Sequence, residues 1–245
     1  MKLYFDLMQR CLTDLIYAEK HEEQTLQGYP FDESLRITGS DWPARAHTMI
    51  GLKRLQNLQF CVEDVIQQGV PGDLIETGVW RGGATIFMRA ILKAYNVGNR
   101  NVWVADSFQG LPKPNPVDYP SDNGDNLHEH KELAVSLEEV KSNFAKYDLL
   151  DNQVKFLKGW FRETLPVAPI KKLAVIRLDG DMYESTMDGL THLYPKLSIG
   201  GYLIVDDFGC ILACRQAVHD YRRAHNMTEE IREIDWTGVY WQRTG

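Results

Sequence analysis

Two acids stand two residues apart in the run Leu173-Ala-Val-Ile-Arg-Leu-Asp-Gly-Asp-Met-Tyr-Glu-Ser-Thr186, directly after a short apolar stretch. The stretch has the length of a buried strand, and Asp179 and Asp181 fall where that strand should end. Side chains at i and i+2 of an extended chain point the same way, so the two carboxylates share one small space. Gly201-Tyr-Leu-Ile-Val-Asp-Asp207 repeats the pattern and closes a second apolar run with Asp206 and Asp207. In an open parallel sheet, ligands bind at the carboxyl ends of the strands. Carboxylates crowded there resist joint ionisation unless a positive charge sits among them, and a hard cation such as Mg2+ is the economical partner. A single Asp at a strand end is commonly a turn residue or helix cap, and Asp207 fits that simpler account best.

The remaining pattern supplies elements to position these acids. Residues 1 to about 46 carry helical pieces separated by loops at Gly28-Tyr-Pro30 and Ser40-Asp-Trp-Pro43. Thr48 is placed to cap a helix in which Leu52, Leu55, Leu58, Val62, Val65 and Ile66 recur at helical spacing until Pro71-Gly72. Asp73 to Thr77 reads as a first strand, followed by the turn Gly78-Val-Trp-Arg-Gly-Gly83 and a helix through about Asn96. Glycines there let a ligand approach the backbone, and tight packing of helix on strand explains them equally well. Their spacing is not the Gly-x-Gly-x-x-Gly of dinucleotide sites, which disfavours a nicotinamide-dependent dehydrogenase. Asn101 to Asp106 follows as a strand ending in an acid suited to ribose hydroxyls.

Gln109 to Lys131 has no periodicity and is read as a lid or as a plain surface excursion; His128 and His130 within it are read as solvated. A helix from about Leu133 to Tyr147, a strand Val154 to Lys158 and the aromatic pair Trp160-Phe161 come next. The pair could cover a flat ring or pack in the core. After the fourth strand, a helix from Tyr183 to Leu197 leads through Gly200-Gly201 to the fifth strand. A helix from about Leu212 to His225 follows, then a hairpin of residues 231–234 and 239–242. Strands alternating with helices, then a hairpin, predict a doubly wound sheet with an antiparallel edge.

Composition excludes several classes. The 245 residues are 44% hydrophobic, as in one large globular domain with an N-terminal helical extension. A net charge of -7 disfavours nucleic-acid and membrane-surface partners. Asp6, Gln9 and Arg10 interrupt any signal-like apolar start, and no stretch approaches the roughly 20 apolar residues of a membrane span. Cys11, Cys61, Cys210 and Cys214 lack zinc or redox spacing, so reduced thiols in a cytoplasmic protein are expected, with Cys210 and Cys214 as core filler.

Glu76-Thr-Gly-Val-Trp-Arg-Gly-Gly83, Asp106-Ser-Phe108, Leu111-Pro112, Lys158-Gly-Trp-Phe161, Leu178 to Thr186 and Val205-Asp-Asp207 together closely resemble the macrocin O-methyltransferase family. Its members include enzymes that methylate deoxysugars of macrolide and aminocoumarin antibiotics. The resemblance runs from about Arg45 to Arg243 and rests on the ordered series of motifs. It implies a class I methyltransferase fold with a Rossmann-like, seven-stranded sheet, S-adenosylmethionine as donor, S-adenosylhomocysteine as product, bound Mg2+, and a homodimer or higher homo-oligomer. Residues 1–70 would then be a helical extension serving the cofactor site and the oligomer, and 71–245 the methyltransferase domain. By matching motif, Glu76 and Gly78 would line the methionine part of the cofactor, Asp106 the ribose and Ser107 the adenosine. Trp160 and Phe161 would lie near adenine, and Thr48 and Met49 would close over the cofactor from the N-terminal helix. Asp179, Asp206 and Asp207 would ligate the metal, and Asp181 would be the general base. The acceptor would be a sugar hydroxyl of a glycosylated natural product. A catechol or other vicinal diol, and a non-catalytic S-adenosylmethionine-binding module, are the alternatives.

Overall fold

The computed structural model describes residues 1–17, 25–26 and 28–245. The rest of the N-terminal extension, 18–24 and 27, lies outside the described residues. Seven strands form one sheet in the order β3-β2-β1-β4-β5-β7-β6. The strands are β1 (Asp73–Thr77), β2 (Val102–Asp106), β3 (Val154–Lys158), β4 (Leu173–Leu178), β5 (Leu197–Val205), β6 (Arg232–Glu233) and β7 (Val239–Gln242). β1 to β5 pair in parallel, whereas β7 runs antiparallel to both β5 and β6. Both faces of the central strands are covered by helices, which is why β4 reads as a nearly unbroken apolar run. Its exception is Arg177.

The helices are α1 (Lys2–Leu12), α2 (Glu33–Thr38), α3 (Gly51–Gln67), α4 (Gly83–Ala94), α5 (Leu137–Lys146), α6 (Phe161–Thr164), α7 (Tyr183–Leu193) and α8 (Leu212–Ala224). Leu58 and Val62 of α3, Phe87 and Ile91 of α4 and Phe144 of α5 fill one face of the sheet. Leu190 of α7, Val218 and Tyr221 of α8, and Trp241 fill the other. Phe5 and Leu12 of α1 lie in the first of these cores, so the extension is packed into the same apolar layer as the sheet. β1 has β2 and β3 on one side and β4 and β5 on the other, so the strand order reverses beside it. That is where an open α/β sheet opens a crevice.

Several boundaries differ from the sequence reading. Thr48 is not the cap of α3: the helix starts at Gly51, and Thr48 Oγ1 accepts only a long 3.4 Å bond from Ile50 N. Gly51 sets the start, because at φ 71° its backbone crosses Gly39 so closely that any side chain would collide. α5 begins at Leu137 and not Leu133, since Ser136 Oγ takes the Glu139 N–H and fixes the cap. α7 ends at Leu193, where Pro195 turns the chain into a single 3-10 turn and β5 starts at once. The stretch from Gln109 to Lys131 contains short 3-10 turns and is anchored: Asp122, 1% exposed, accepts hydrogen bonds from Tyr183 N and Glu184 N at 2.6 and 3.0 Å. A loop side chain therefore caps α7 from 61 residues away in sequence. All four cysteines are free thiols, and Cys214 is core as expected, but Cys210 is exposed. It follows the end of β5 on the acid side of the sheet and lines the cavity there.

Candidate active site

One cavity lies over the carboxyl ends of the parallel strands. Thr48, Met49, Glu76, Gly78, Asp106, Ser107, Trp160, Phe161, Asp179, Asp181, Asp206 and Asp207 all line it. Their places follow the strand order: Trp160 and Phe161 beyond β3, Asp106 on β2, Glu76 and Gly78 at β1, Asp179 and Asp181 beyond β4, Asp206 and Asp207 beyond β5.

The glycine turn has a packing reason. A side chain on Gly78, which sits at φ 80°, would strike the Asp179 carbonyl oxygen. Asp179 N in turn donates to Thr77 O at 2.9 Å, which seals the two turns together. Asp106 organises the same turn, for its carboxylate accepts from Val79 N at 2.8 Å and Phe108 N at 2.7 Å. Burial raises the Asp106 pKa, and these N–H donors oppose that rise.

The acid cluster already contains positive charge. Arg177, 1% exposed, donates from Nη1 to Glu76 Oε1 and, at 2.7 Å, to Asp179 Oδ2, and from Nη2 to Asp206 Oδ1. Arg54 of α3 donates to Asp206 Oδ2, to Asp235 Oδ2 at 3.0 Å and to Gly39 O at 2.9 Å. Two guanidinium groups face Glu76, Asp179, Asp206 and Asp235, while Asp181 and Asp207 adjoin the same acids with no cation acting on them among the described residues. The remaining excess shows in the titration. Burial pushes Glu76 up to about 8 against the pull of Arg177. Burial and then Asp206 raise Asp179 to about 6, and burial with Asp179 and Asp206 raises Asp181 to about 8. Asp207 is also raised well above the usual carboxylate range, by burial and then by Asp181.

Asp207 is more than a turn residue. Its Oδ2 accepts the Asp181 N–H at 3.1 Å, and Asp181 stands at φ 58°, a left-handed conformation uncommon outside glycine. That bond aims Asp181 at the cavity. Asp179, Asp206 and Asp207 each offer a carboxylate oxygen, and these oxygens lie within 4.8 Å of one another. An all-carboxylate donor set suits a hard cation, so the residues fit Mg2+ by their chemistry. Beside them, on β1, Glu76 gives Oε1 to Arg177 and keeps Oε2 buried with no hydrogen-bond partner among the described residues.

Sequence reasoning missed Arg54, Arg177 and the roof of the cavity. Arg177 carried a signal, a charge inside an apolar strand. Arg54 carried none, since its role depends on α3 crossing the end of β5. Asp41, Trp42 and Trp236 also line the cavity and come from segments with no readable motif. His130 packs edge-on against Trp42, 5.2 Å between ring centroids, and is itself exposed, as the sequence reading has it.

A doubly wound sheet of this order, with acids at the ends of β1, β2, β4 and β5 around one cavity, defines a class I methyltransferase. The family model described as macrocin-O-methyltransferase (TylF) matches residues 6–243, and the chain belongs to that family of O-methyltransferases. It is 55% identical over 248 residues to mycinamicin III 3''-O-methyltransferase of Micromonospora griseorubida, spanning 100% of this chain and 97% of the relative. It is 56% identical to 8-demethyl-8-(2,3-dimethoxy-alpha-L-rhamnosyl)-tetracenomycin-C 4'-O-methyltransferase of Streptomyces olivaceus, over 99% of this chain and 93% of that one. Among solved structures, the O-methyltransferase NovP superposes with a TM-score of 0.94 at 55% identity, covering 100% of this chain and 99% of NovP.

Proposed function

We propose that the protein transfers the methyl group of S-adenosylmethionine to a hydroxyl of a deoxysugar on a glycosylated natural product, with Asp181 as general base beside a Mg2+ site of Asp179, Asp206 and Asp207. The observation that carries this reading is that one cavity brings acids from four strand ends together, Glu76 joined through Arg177 to Asp179 and Asp206. Glu76 and Asp106 sit at β1 and β2, and the Asp181 group sits at β4 and β5. In the transfer, the acceptor oxygen forms a bond to the methyl carbon as the sulfonium C–S bond breaks, and the hydroxyl proton passes to the base. A sugar hydroxyl is a weak acid, so the reaction needs an aligned oxygen and a nearby proton acceptor. Bound Mg2+ would supply Lewis-acid and template chemistry to the acceptor. Asp181, held out of the helical conformation by Asp207, presents a carboxylate whose raised pKa gives it a strong hold on a proton once ionised. Arg177 and Arg54 fix Asp179 and Asp206 in place. Glu76 and Gly78 are read as lining the methionine arm, Asp106 and Ser107 the ribose and adenosine, Trp160 and Phe161 the purine, with Thr48 and Met49 closing over the cofactor.

The two relatives named above act, by their names, at the 3'' and 4' positions, and the chain is 55% and 56% identical to them. Overall similarity therefore leaves the methylated hydroxyl to acceptor profiling, which also separates sugars from catechols. Residues 1–70 are read as cavity roof and copy-to-copy surface, since α1 exposes Leu3, Tyr4 and Leu7 on its outer side. Sedimentation velocity tests that assembly, and a monomer at all concentrations rejects it.

The test of the central reading is a binding and turnover pair. Wild type should bind S-adenosylhomocysteine by calorimetry. Asp181→Asn should bind it equally well while methylating a glycosylated acceptor at least roughly a hundredfold more slowly. Unaltered turnover by that variant rejects the base assignment.

A further inference from the structure

Glu184 is a buried carboxylate with no part in the chemistry outlined above. It lies in the first turn of α7, is 5% exposed and lines the cavity. Its Oε1 accepts a hydrogen bond from Arg162 Nη1 at 3.1 Å, while Oε2 is buried without a partner among the described residues. A buried carboxylate oxygen facing a cavity with nothing donating to it is costly, and a ligand N–H or O–H removes that cost.

The partner of Oε1 fixes which way the group faces. Arg162 belongs to α6, which follows β3, so Glu184 is turned from the acids of β4 and β5 toward the Trp160 and Phe161 end. The same end is tightly closed: a Cβ on Gly180 would stand 3.0 Å from Ser185 Cβ and 3.3 Å from Phe161 Cε2. In strand order this end lies beyond Asp106, opposite Asp206 and Asp207. With the methionine arm at Glu76 and the ribose at Asp106, the purine continues over β3. Its edge then meets Glu184. Adenine carries one hydrogen-bond donor on its base edge, the exocyclic amine.

We infer that Glu184 Oε2 accepts a hydrogen bond from the exocyclic amine of the cofactor's adenine and so selects the base. Asp188, one turn along α7, is pushed up to about 6 by burial and then by the Glu184 charge, with Arg162 opposing, so the cation on this wall is already engaged by Glu184 Oε1. A base presenting an acceptor at the amine position would meet repulsion there. Glu184 thus recognises the donor without touching the acceptor, a separate task from that of the neighbouring Asp181.

The inference rests on the cofactor reading above, and a ligand-by-protein cycle separates the two. Calorimetry would compare S-adenosylhomocysteine with its purine-riboside analogue, in which hydrogen replaces the amine, on wild type and Glu184→Ala. Wild type should prefer the adenine compound by at least about tenfold, the scale of a hydrogen bond to a charged group, and the variant should reduce that preference to below about threefold. An equal preference in both proteins overturns the inference, as does a wild-type preference near one. Should Glu184→Ala fail to fold by circular dichroism, Glu184→Gln takes its place, with a reduced preference as the supporting result. If folded wild type binds neither compound, the cofactor reading fails and the inference with it.

Discussion

Arg177 brings a positive charge into a strand that is otherwise apolar, and it is what lets Glu76, Asp179 and Asp206 coexist. Removing one partner of a buried ionic network leaves the others uncompensated, at a cost of roughly 3–5 kcal/mol. Arg177→Met should therefore lose about that much stability at pH 7.5, measured by urea unfolding with a chelator present. Part of the loss should return at pH 5.5, because protonated carboxyls no longer need the guanidinium. Equal losses at both pH values would mean that packing, and not charge, is what the arginine supplies. The raised carboxyls make a second prediction. Glu76 titrates near 4.5 in the unfolded chain and near 8 in the fold, so the folded state holds a proton that the unfolded state has released. The stability that this contributes is complete below pH 4.5 and is lost as pH rises through 8. Asp181, raised to about 8, acts in the same direction. Divalent cations compete with those protons, so the rise in Tm caused by Mg2+ should grow between pH 6 and pH 8.5. A constant rise across that range would separate the metal site from these groups.

At the scale of elements, α7 is the piece whose start is set by another segment. Its own N-cap residue, Met182, makes no side-chain cap, and Asp122 from the preceding long loop supplies two acceptors to Tyr183 N and Glu184 N. Losing such a cap costs about 0.5–2 kcal/mol. Asp122→Ala should destabilise the protein within that range and speed hydrogen exchange at the first amides of α7, read by mass spectrometry. If exchange rises only within 109–131, the cap is dispensable to the helix. α5 behaves differently: its cap at Ser136 is local, yet the sequence reading starts it about four residues early, at Leu133. The start of α7 at Tyr183 was legible all the same, from the apolar run and acids before it; what the chain could not show is the residue, 61 positions away, that caps it.

For the whole molecule, the strand ends were legible because a parallel sheet buried on both faces writes itself as short apolar runs, and the acids that stop those runs stand out. Asp179, Asp181, Asp206 and Asp207 were found that way, and Asp106 with them. The roof was not, since Asp41, Trp42 and Trp236 converge only after the extension and the C-terminal hairpin fold over the sheet. The charge balance was half legible: a cation among the acids was expected, but two arginines provide much of it. The same assembly gives the molecule a pH profile. His47, whose Nδ1 lies 2.7 Å from Tyr147 Oη, is lowered to about 4 by burial and then by Lys146 and Arg81. Because the unfolded chain takes up that proton first, stability falls as pH drops from 6.5 toward 4. With the carboxyls eroding it from the alkaline side, the metal-free protein should be most stable below pH 7, and His47→Gln should flatten the acid limb of a Tm profile. A variant with an unchanged acid limb would place its cause elsewhere.

The seam between Gly78 and the Asp179 carbonyl joins the turns on which the donor and acceptor readings rest. Backbone against backbone, closed by the Asp179 N–H to Thr77 O bond, it behaves as an anvil with no hinge in it. The part of the cavity free to vary then lies above, in the segments around Trp42 and Leu127. On this floor, fitting the cavity to a bulkier acceptor is a task of re-cutting the ceiling while leaving the strand ends untouched.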